Sequence, residues 1–338
     1  MATQDTLSTH ARYEVFHTSE TYSAGDQFAR DVAEGLSSYP KYIPSKYFYD
    51  DRGSCLFQQI TELDEYYVTN CEIDVIERSK GAIAQLMAGE PFRLIELGVG
   101  DGRKTRPLLE EFLDRGLSFE FVPIDICREI IAGLTHGLGN DLASPRLQIK
   151  GIVGDYCDAL GLLNQRDARR NLVLFMGSNI GNMDGPRSRS FLGGLRDSLA
   201  PGDVAMIGFD LMKDLRVLQA AYDDSKGVTR EFNLNLLDRM NRELGASFDR
   251  GLFQHHALFN VLRGRMESWL ISTEPQTVAF DALDEEFYFD AWEGIHLENS
   301  YKFTIDRIEA LAGTTGFEVE EHLLDDRGWF VDSLWRAV

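Results

Sequence analysis

The residues best suited to chemistry cluster in the stretch RLIELGVGDGRKT, residues 93–105, where a short apolar run meets an acid, three glycines and a lysine. Gly98, Gly100 and Gly102 let the backbone turn tightly and approach a ligand that side chains would exclude, although the same composition also serves as a plain turn. The spacing is G-x-G-x-G rather than the G-x-G-x-x-G of a dinucleotide fingerprint. Further along, Asp125 closes an apolar run and can accept both hydroxyls of a ribose, in a dinucleotide as well as in any other nucleoside. Asp155 and Tyr156 suit an adenine amine and an adenine ring, and a solvated loop acid is an equal reading of Asp155. In GSNIGN, residues 177–182, Asn179 and Asn182 bring amide donors and acceptors without charge, which can orient an amine and a carboxylate or simply cap a turn.

These groups need elements to hold them, and the chain supplies a βα rhythm. Strands are expected at 93–97, 119–124, 147–153, 172–176 and 204–209, alternating with amphipathic helices over 72–87, from Lys104, over 128–138 and around Phe191 to Leu199. That alternation predicts an α/β fold with a parallel sheet, and in such sheets ligands lie beyond the carboxyl ends of the strands. The rhythm stops at Lys213: residues 213–251 read as helical and 257–289 as strands, with His255 and His256 adjacent on an extended segment and so unable to share a metal easily. A helix from Thr304 and two strands, 317–324 and 329–335, close the chain as an antiparallel hairpin. Two lobes follow: 72–212 with 302–338 as the Rossmann-like domain, and 12–71 with 213–301 as a second, α+β domain that binds substrate. The second begins with the helix 24–39 and an aromatic-rich segment holding Tyr42, Tyr47, Tyr49, Tyr66 and Tyr67, whose rings fill a core in the plain reading and face a pocket in the sharper one.

Composition narrows the partners. At 338 residues and 43% hydrophobic the chain can bury a large core. Acidic residues outnumber basic ones 55 to 34, a net charge of -21, which argues against nucleic acid or an anionic membrane and for a small-molecule substrate. The cysteines Cys55, Cys71, Cys127 and Cys157 lie far apart with no C-x-x-C, so no metal site or disulfide framework is expected, and no run is long enough to span a membrane. A cytoplasmic monomer is the expectation.

The glycine loop preceded by Glu96 resembles that of S-adenosyl-L-methionine (SAM) methyltransferases with a Rossmann-like fold, which favours SAM over NAD. The likeness becomes specific in KYFYDDRGSCLFQQITELDEYY, IELGVGDGRKT, FVPIDI, GIVGDY, LFMGSNIGN, AYDDSKGVTREFNLNLLDRMNRELGASFD and ENSYKF, which resemble the histidine-specific Nα-methyltransferases of the ergothioneine pathway through nearly the whole chain. That resemblance implies trimethylation of the α-amino group of L-histidine to hercynine, with S-adenosyl-L-homocysteine (SAH) as the other product. It further implies that Gly98, Gly100 and Lys104 contact SAM, Asp125 holds the ribose, and Asp155 with Tyr156 embraces the adenine. Tyr66, Asn182 and Tyr222 would hold the amine and carboxylate of the amino acid, Tyr66 and Asn182 acting at the reacting amine, while Glu298 and Ser300 hold the imidazole and Tyr49 lines the pocket. The loop GVGDGRKT is Ser- and Thr-rich in other members, and Asn179 and Ser268 stand where close members carry Thr and Met. A related enzyme methylates a prenylated tryptophan, and Glu298 with Ser300 favours histidine over that indole. N-methylation of another aromatic or imidazole amino acid is the nearest alternative, and an NAD-linked oxidoreductase the one outside the class.

Overall fold

The computed structural model describes residues 5–6, 11–15, 24–155 and 169–338. The chain divides into two compact units, one of residues 1–18, 68–212 and 302–338 and the other of residues 19–67 and 213–301. Strands and helices are numbered below in chain order through both units.

The first unit is built on a nine-stranded sheet ordered β1-β2-β6-β5-β4-β7-β8-β15-β14. Its strands are β1 (Asp5–Thr6), β2 (Ala11–Val15), β4 (Phe92–Leu97), β5 (Phe119–Asp125), β6 (Leu147–Val153), β7 (Arg170–Phe175), β8 (Val204–Asp210), β14 (Phe317–Leu324) and β15 (Phe330–Ala337). From β2 to β8 neighbours run parallel, and β15 and β14 add an antiparallel edge. The helices are α3 (Tyr67–Leu86), α4 (Arg106–Asp114), α5 (Arg128–Asp141), α6 (Gly185–Asp197) and α9 (Ile305–Thr314). Both faces of the sheet are covered, so strand residues are apolar without alternation. Leu94, Phe121, Ile149, Leu172 and Leu174 pack with Val75, Ile83, Leu108, Phe112 and Ile131. The opposite face sets Ile95, Val122, Val173, Phe175 and Ile207 against Phe191, Leu192, Leu195 and Ile308. Each such side chain taken out of water contributes about 1.5–3 kcal/mol. β4 lies between β5 and β7, so the strand order reverses there and the loops after β4 and β7 diverge at a topological switch point.

Two expectations change. Residues 12–15, grouped on the sequence with the second lobe, pair in parallel with β6 through β2, which covers a sheet edge that would otherwise expose unpaired backbone groups. The helix expected from Glu72 begins at Tyr67, which moves Glu72 from a helix start into a helix interior.

The second unit carries a four-stranded sheet ordered β3-β13-β10-β9, with β3 (Lys41–Tyr42), β9 (Phe253–Asn260), β10 (Arg265–Ser272) and β13 (Gly294–Tyr301), and a hairpin of β11 (Gln276–Phe280) with β12 (Glu285–Phe289). Its helices are α1 (Ala24–Ser37), α2 (Asp51–Thr61), α7 (Leu215–Tyr222) and α8 (Val228–Leu244). Phe28, Val32, Phe48, Leu236, Met240, Leu270, Phe280 and Ile295 are among the core. Asp50 ties two helices: it caps α2 by accepting from the Gly53 N–H at 2.7 Å and takes Asn235 and Arg242 of α8 at 2.8 and 2.6 Å. The sequence assigns no strand to 290–301, yet β13 runs there. Ile295 and Leu297 alternate inward as a strand should, but a register shift opposite Ser268 and Trp269 interrupts the period just where the polar residues begin.

Candidate active site

In the first unit four segments lie at the carboxyl ends of parallel strands: Gly98 to Gly102 after β4, Asp125 as the last residue of β5, Gly154 and Asp155 after β6, and Gly177 to Asn182 after β7. Gly98, Gly100 and Gly102 all take left-handed backbone, with φ of +75, +57 and +70°. A Cβ at Gly100 would meet nothing within 4 Å and one at Gly98 only the Asn179 amide at 3.5 Å, so both offer bare backbone to a ligand, whereas one at Gly102 would strike Leu134 at 2.4 Å. The third glycine therefore serves packing.

Asp125 braces this loop. Its Oδ2 accepts the Gly100 N–H at 3.1 Å and its Oδ1 the Cys127 N–H at 3.0 Å. Burial raises its carboxyl above the usual range, and the Cys127 and Gly100 amides pull it back. Each oxygen keeps further acceptor capacity, as a ribose diol requires. The Gly154 N–H donates to the Asp125 carbonyl at 2.9 Å, which brings the Asp155 turn beside it. Asp155 is half-buried; Tyr156 lies outside the described residues.

Lys104 is engaged from below. Its Nζ donates to Glu72 Oε2 at 2.6 Å, and Glu72 is completely buried. Thr105 precedes α4 without capping it; its hydroxyl donates to Glu96 Oε2 at 2.5 Å, and burial pushes the Glu96 carboxyl up to about 8. Ser178 takes φ of +53° and its Oγ accepts the Asp210 N–H at 3.0 Å, while Lys302 and Asp210 form a buried ion pair at 2.7 Å. On that footing Asn179 to Asn182 form one turn of 3-10 helix with Asn182 half-buried.

The second unit gathers the other expected residues. Tyr222 ends α7, and its hydroxyl donates to Ser300 Oγ at 2.6 Å. The Tyr222 carbonyl accepts from His255 Nε2 at 2.9 Å, and burial lowers the pKa of that imidazole, so the neutral ring serves as the donor. Glu298 and Ser300 are two apart on β13 and so share a face, with Glu298 opposite Ser268 of β10. Tyr49 and Tyr66 both pack edge-on against Phe57, at ring-centroid distances of 5.6 and 6.2 Å. Phe57 and His255 thus position expected site residues without having been chosen as such; Phe57 lay within the aromatic segment, but nothing in the pattern distinguished it. Glu72 had no sequence signal, because its partners are 32 and 105 residues away. Strand pairing places His255 and His256 at successive positions opposite Leu270 and Trp269.

The sequence pattern of a family described as histidine-specific, SAM-dependent methyltransferases matches residues 28–337. Two relatives named Histidine N-alpha-methyltransferase are each 39% identical. That of Mycolicibacterium smegmatis covers 92% of this chain and 95% of its own length. That of Mycobacterium tuberculosis covers 90% and 93%. Ergothioneine biosynthesis protein 1 of Neurospora crassa is 29% identical over 82% of this chain, a match that spans 31% of the fungal protein.

Proposed function

Because this chain belongs to the family of histidine-specific, SAM-dependent methyltransferases, we propose that it trimethylates the α-amino group of L-histidine to hercynine, a step of ergothioneine biosynthesis. The observation that carries the choice of acceptor is the polar cluster of the second unit, where Tyr222 and Ser300 are hydrogen-bonded and Glu298 shares the Ser300 face of β13. A carboxylate and a hydroxyl two residues apart suit the N–H groups of an imidazole, and a site that pairs such groups rejects side chains lacking them.

The residues of the first unit fit SAM. Gly98 and Gly100 leave space for close approach to the backbone and Asp125 offers a braced carboxylate that can accept from the hydroxyls of a nucleoside. SAM, when bound, supplies an electrophilic methyl on a sulfonium. The chain's task is orientation: it must hold a deprotonated amine in line with that methyl, an effect that can amount to about 7–11 kcal/mol of the barrier. Asn182 and Tyr66 carry no charge, so they can orient the amine through three rounds without trapping a proton on a neighbouring acid, and the ring face of Tyr66 tolerates the quaternary product. Tyr222 holds the carboxylate end of the amino acid, Glu298 and Ser300 the imidazole, and Tyr49 lines the same pocket. Gly98, Gly100 and Lys104 contact SAM, Asp125 its ribose, and Asp155 with Tyr156 its adenine. We take the protein to act as a cytoplasmic monomer; among the described residues no helix is long and apolar enough to cross a membrane, and light scattering reads the oligomeric state.

The test is incubation with SAM and each amino acid, reading mass gains of one, two and three methyl groups. Histidine is expected to gain three. A gain only on tryptophan or another amine would move the acceptor within the class. Binding of NADH with none of SAH would overturn the cofactor assignment.

A further inference from the structure

Glu72 sits in the interior of α3, with no exposure to solvent, and three other elements converge on its carboxylate. Oε2 accepts from Lys104 Nζ at 2.6 Å, at the end of the glycine loop. The N–H of Gly177, in the loop after β7, donates to Oε1 at 2.7 Å and Oε2 at 3.0 Å. Gly177 has φ of +75°, so its amide has turned out of the sheet ladder and needs another acceptor. The surroundings are cut to fit this carboxylate. A Cβ on Gly208 of β8 would lie 2.5 Å from Glu72 Oε1 and 3.1 Å from Asp332 Oδ1, and a Cβ on Gly177 would lie 3.2 Å from Lys104 Nζ.

We infer that Glu72 is a positioning residue for methyl transfer, a carboxylate that fixes the glycine loop against the Gly177–Asn182 loop. The carboxylate hydrogen-bonds a residue of each loop. The inference rests on the proposed function, since it takes one loop to hold the cofactor and the other to handle the acceptor. Placement matters because a misalignment of about 1 Å in a displacement of this kind costs about 100-fold in rate.

Asp332 is the natural contrast. It is equally buried beside Glu72, and neither of its oxygens meets an N–H or hydroxyl donor. Burial and the neighbouring Glu72 hold its carboxyl well above the usual range. Asparagine at this position keeps the shape of the side chain without placing a second acid beside Glu72. Asp332 bonds neither loop.

The experiment compares Glu72→Gln, Glu72→Asp and Asp332→Asn in the full chain by hydrogen exchange, SAH calorimetry and steady-state kinetics with histidine. Glu72→Gln turns an amide donor toward either Lys104 or the Gly177 amide. It is expected to raise exchange in 98–105 and 177–182 together, to raise the Kd for SAH about tenfold and to lower kcat about 100-fold. Glu72→Asp keeps the charge but shortens its reach; it is the variant to read where Glu72→Gln does not fold, with exchange rising in at least one of the two loops. Asp332→Asn is expected to stay within twofold of the unmodified protein throughout. The inference is overturned if Glu72→Gln and Asp332→Asn lower kcat by the same factor, or if exchange in both loops is unchanged in the Glu72 variants. Should the unmodified protein fail to methylate histidine, the functional reading falls, and the exchange pattern alone still decides whether Glu72 couples the loops.

Discussion

Replacing Asp125 by Asn separates two jobs that one carboxylate does. In the folded chain its oxygens accept the Gly100 and Cys127 amides at 3.1 and 3.0 Å. Asparagine keeps one acceptor and turns an NH2 toward the other amide, leaving an unsatisfied N–H that costs about 1–3 kcal/mol. Part of that is offset, because burial already disfavours the charged carboxyl and the neutral amide relieves it. The net loss of stability should be no more than about 2 kcal/mol, a fall in Tm of roughly 4–8 °C at most. Nucleoside binding should suffer more specifically: a hydrogen bond from a ribose hydroxyl to a charged acceptor contributes about 1.5–3 kcal/mol, so the Kd for SAH should rise roughly 10- to 150-fold. Calorimetry with SAH and with its 2′-deoxy analogue reads this directly, and the analogue should lose far less on mutation. A variant that melts lower yet binds SAH within about threefold of the unmodified protein would show that Asp125 braces the loop and does not hold the ribose.

Glu96 should make stability depend on pH. Burial raises its folded pKa to about 8, above the 4.5 of an ordinary glutamate, so the folded state binds the extra proton and stability falls as pH rises from about 4.5 to 8. Glu96→Gln, which keeps an acceptor for Thr105, should melt higher than the unmodified protein at pH 8.5, with the gap closing toward pH 5; a gap that widens on acidification would contradict the burial argument. Lys302→Met strands the buried Asp210 carboxylate and should cost about 3–5 kcal/mol in urea unfolding, most of it recovered by adding Asp210→Leu; equal stability of the single and double variants would argue that the pair is not coupled. Tyr222→Phe removes the 2.6 Å bond to Ser300 and should raise the KM for histidine about 2- to 12-fold with the SAH Kd unchanged. Glu298→Ala should likewise weaken histidine and spare SAH, and equal losses of both would contradict its assignment to the imidazole.

Much of the first unit could be read from the chain because its signals are local. Apolar runs of six or seven residues, helices at 3.6 periodicity and a glycine loop each declare themselves within a dozen residues, and parallel strands separated by helices leave few topologies. The second unit was harder. β13 carries Glu298 and Ser300, but its bulge breaks the alternation that marks a strand. In the first unit the exception was β2, which joins the sheet from a polar segment whose partner lies 138 residues away.

Taken alone, the sequence determined the α/β class, the place of the glycine turn and, through its motifs, the set of residues worth testing. The tertiary structure decided what holds them. Lys104 and Gly177 meet on Glu72, Gly100 on Asp125, and Tyr222 on Ser300 and His255, contacts spanning 25 to 105 residues. Periodicity reports which face of an element is apolar; it carries no information about which buried carboxylate or hydroxyl a distant amide will find. That depends on strand order and register, and these exist only once the chain has folded.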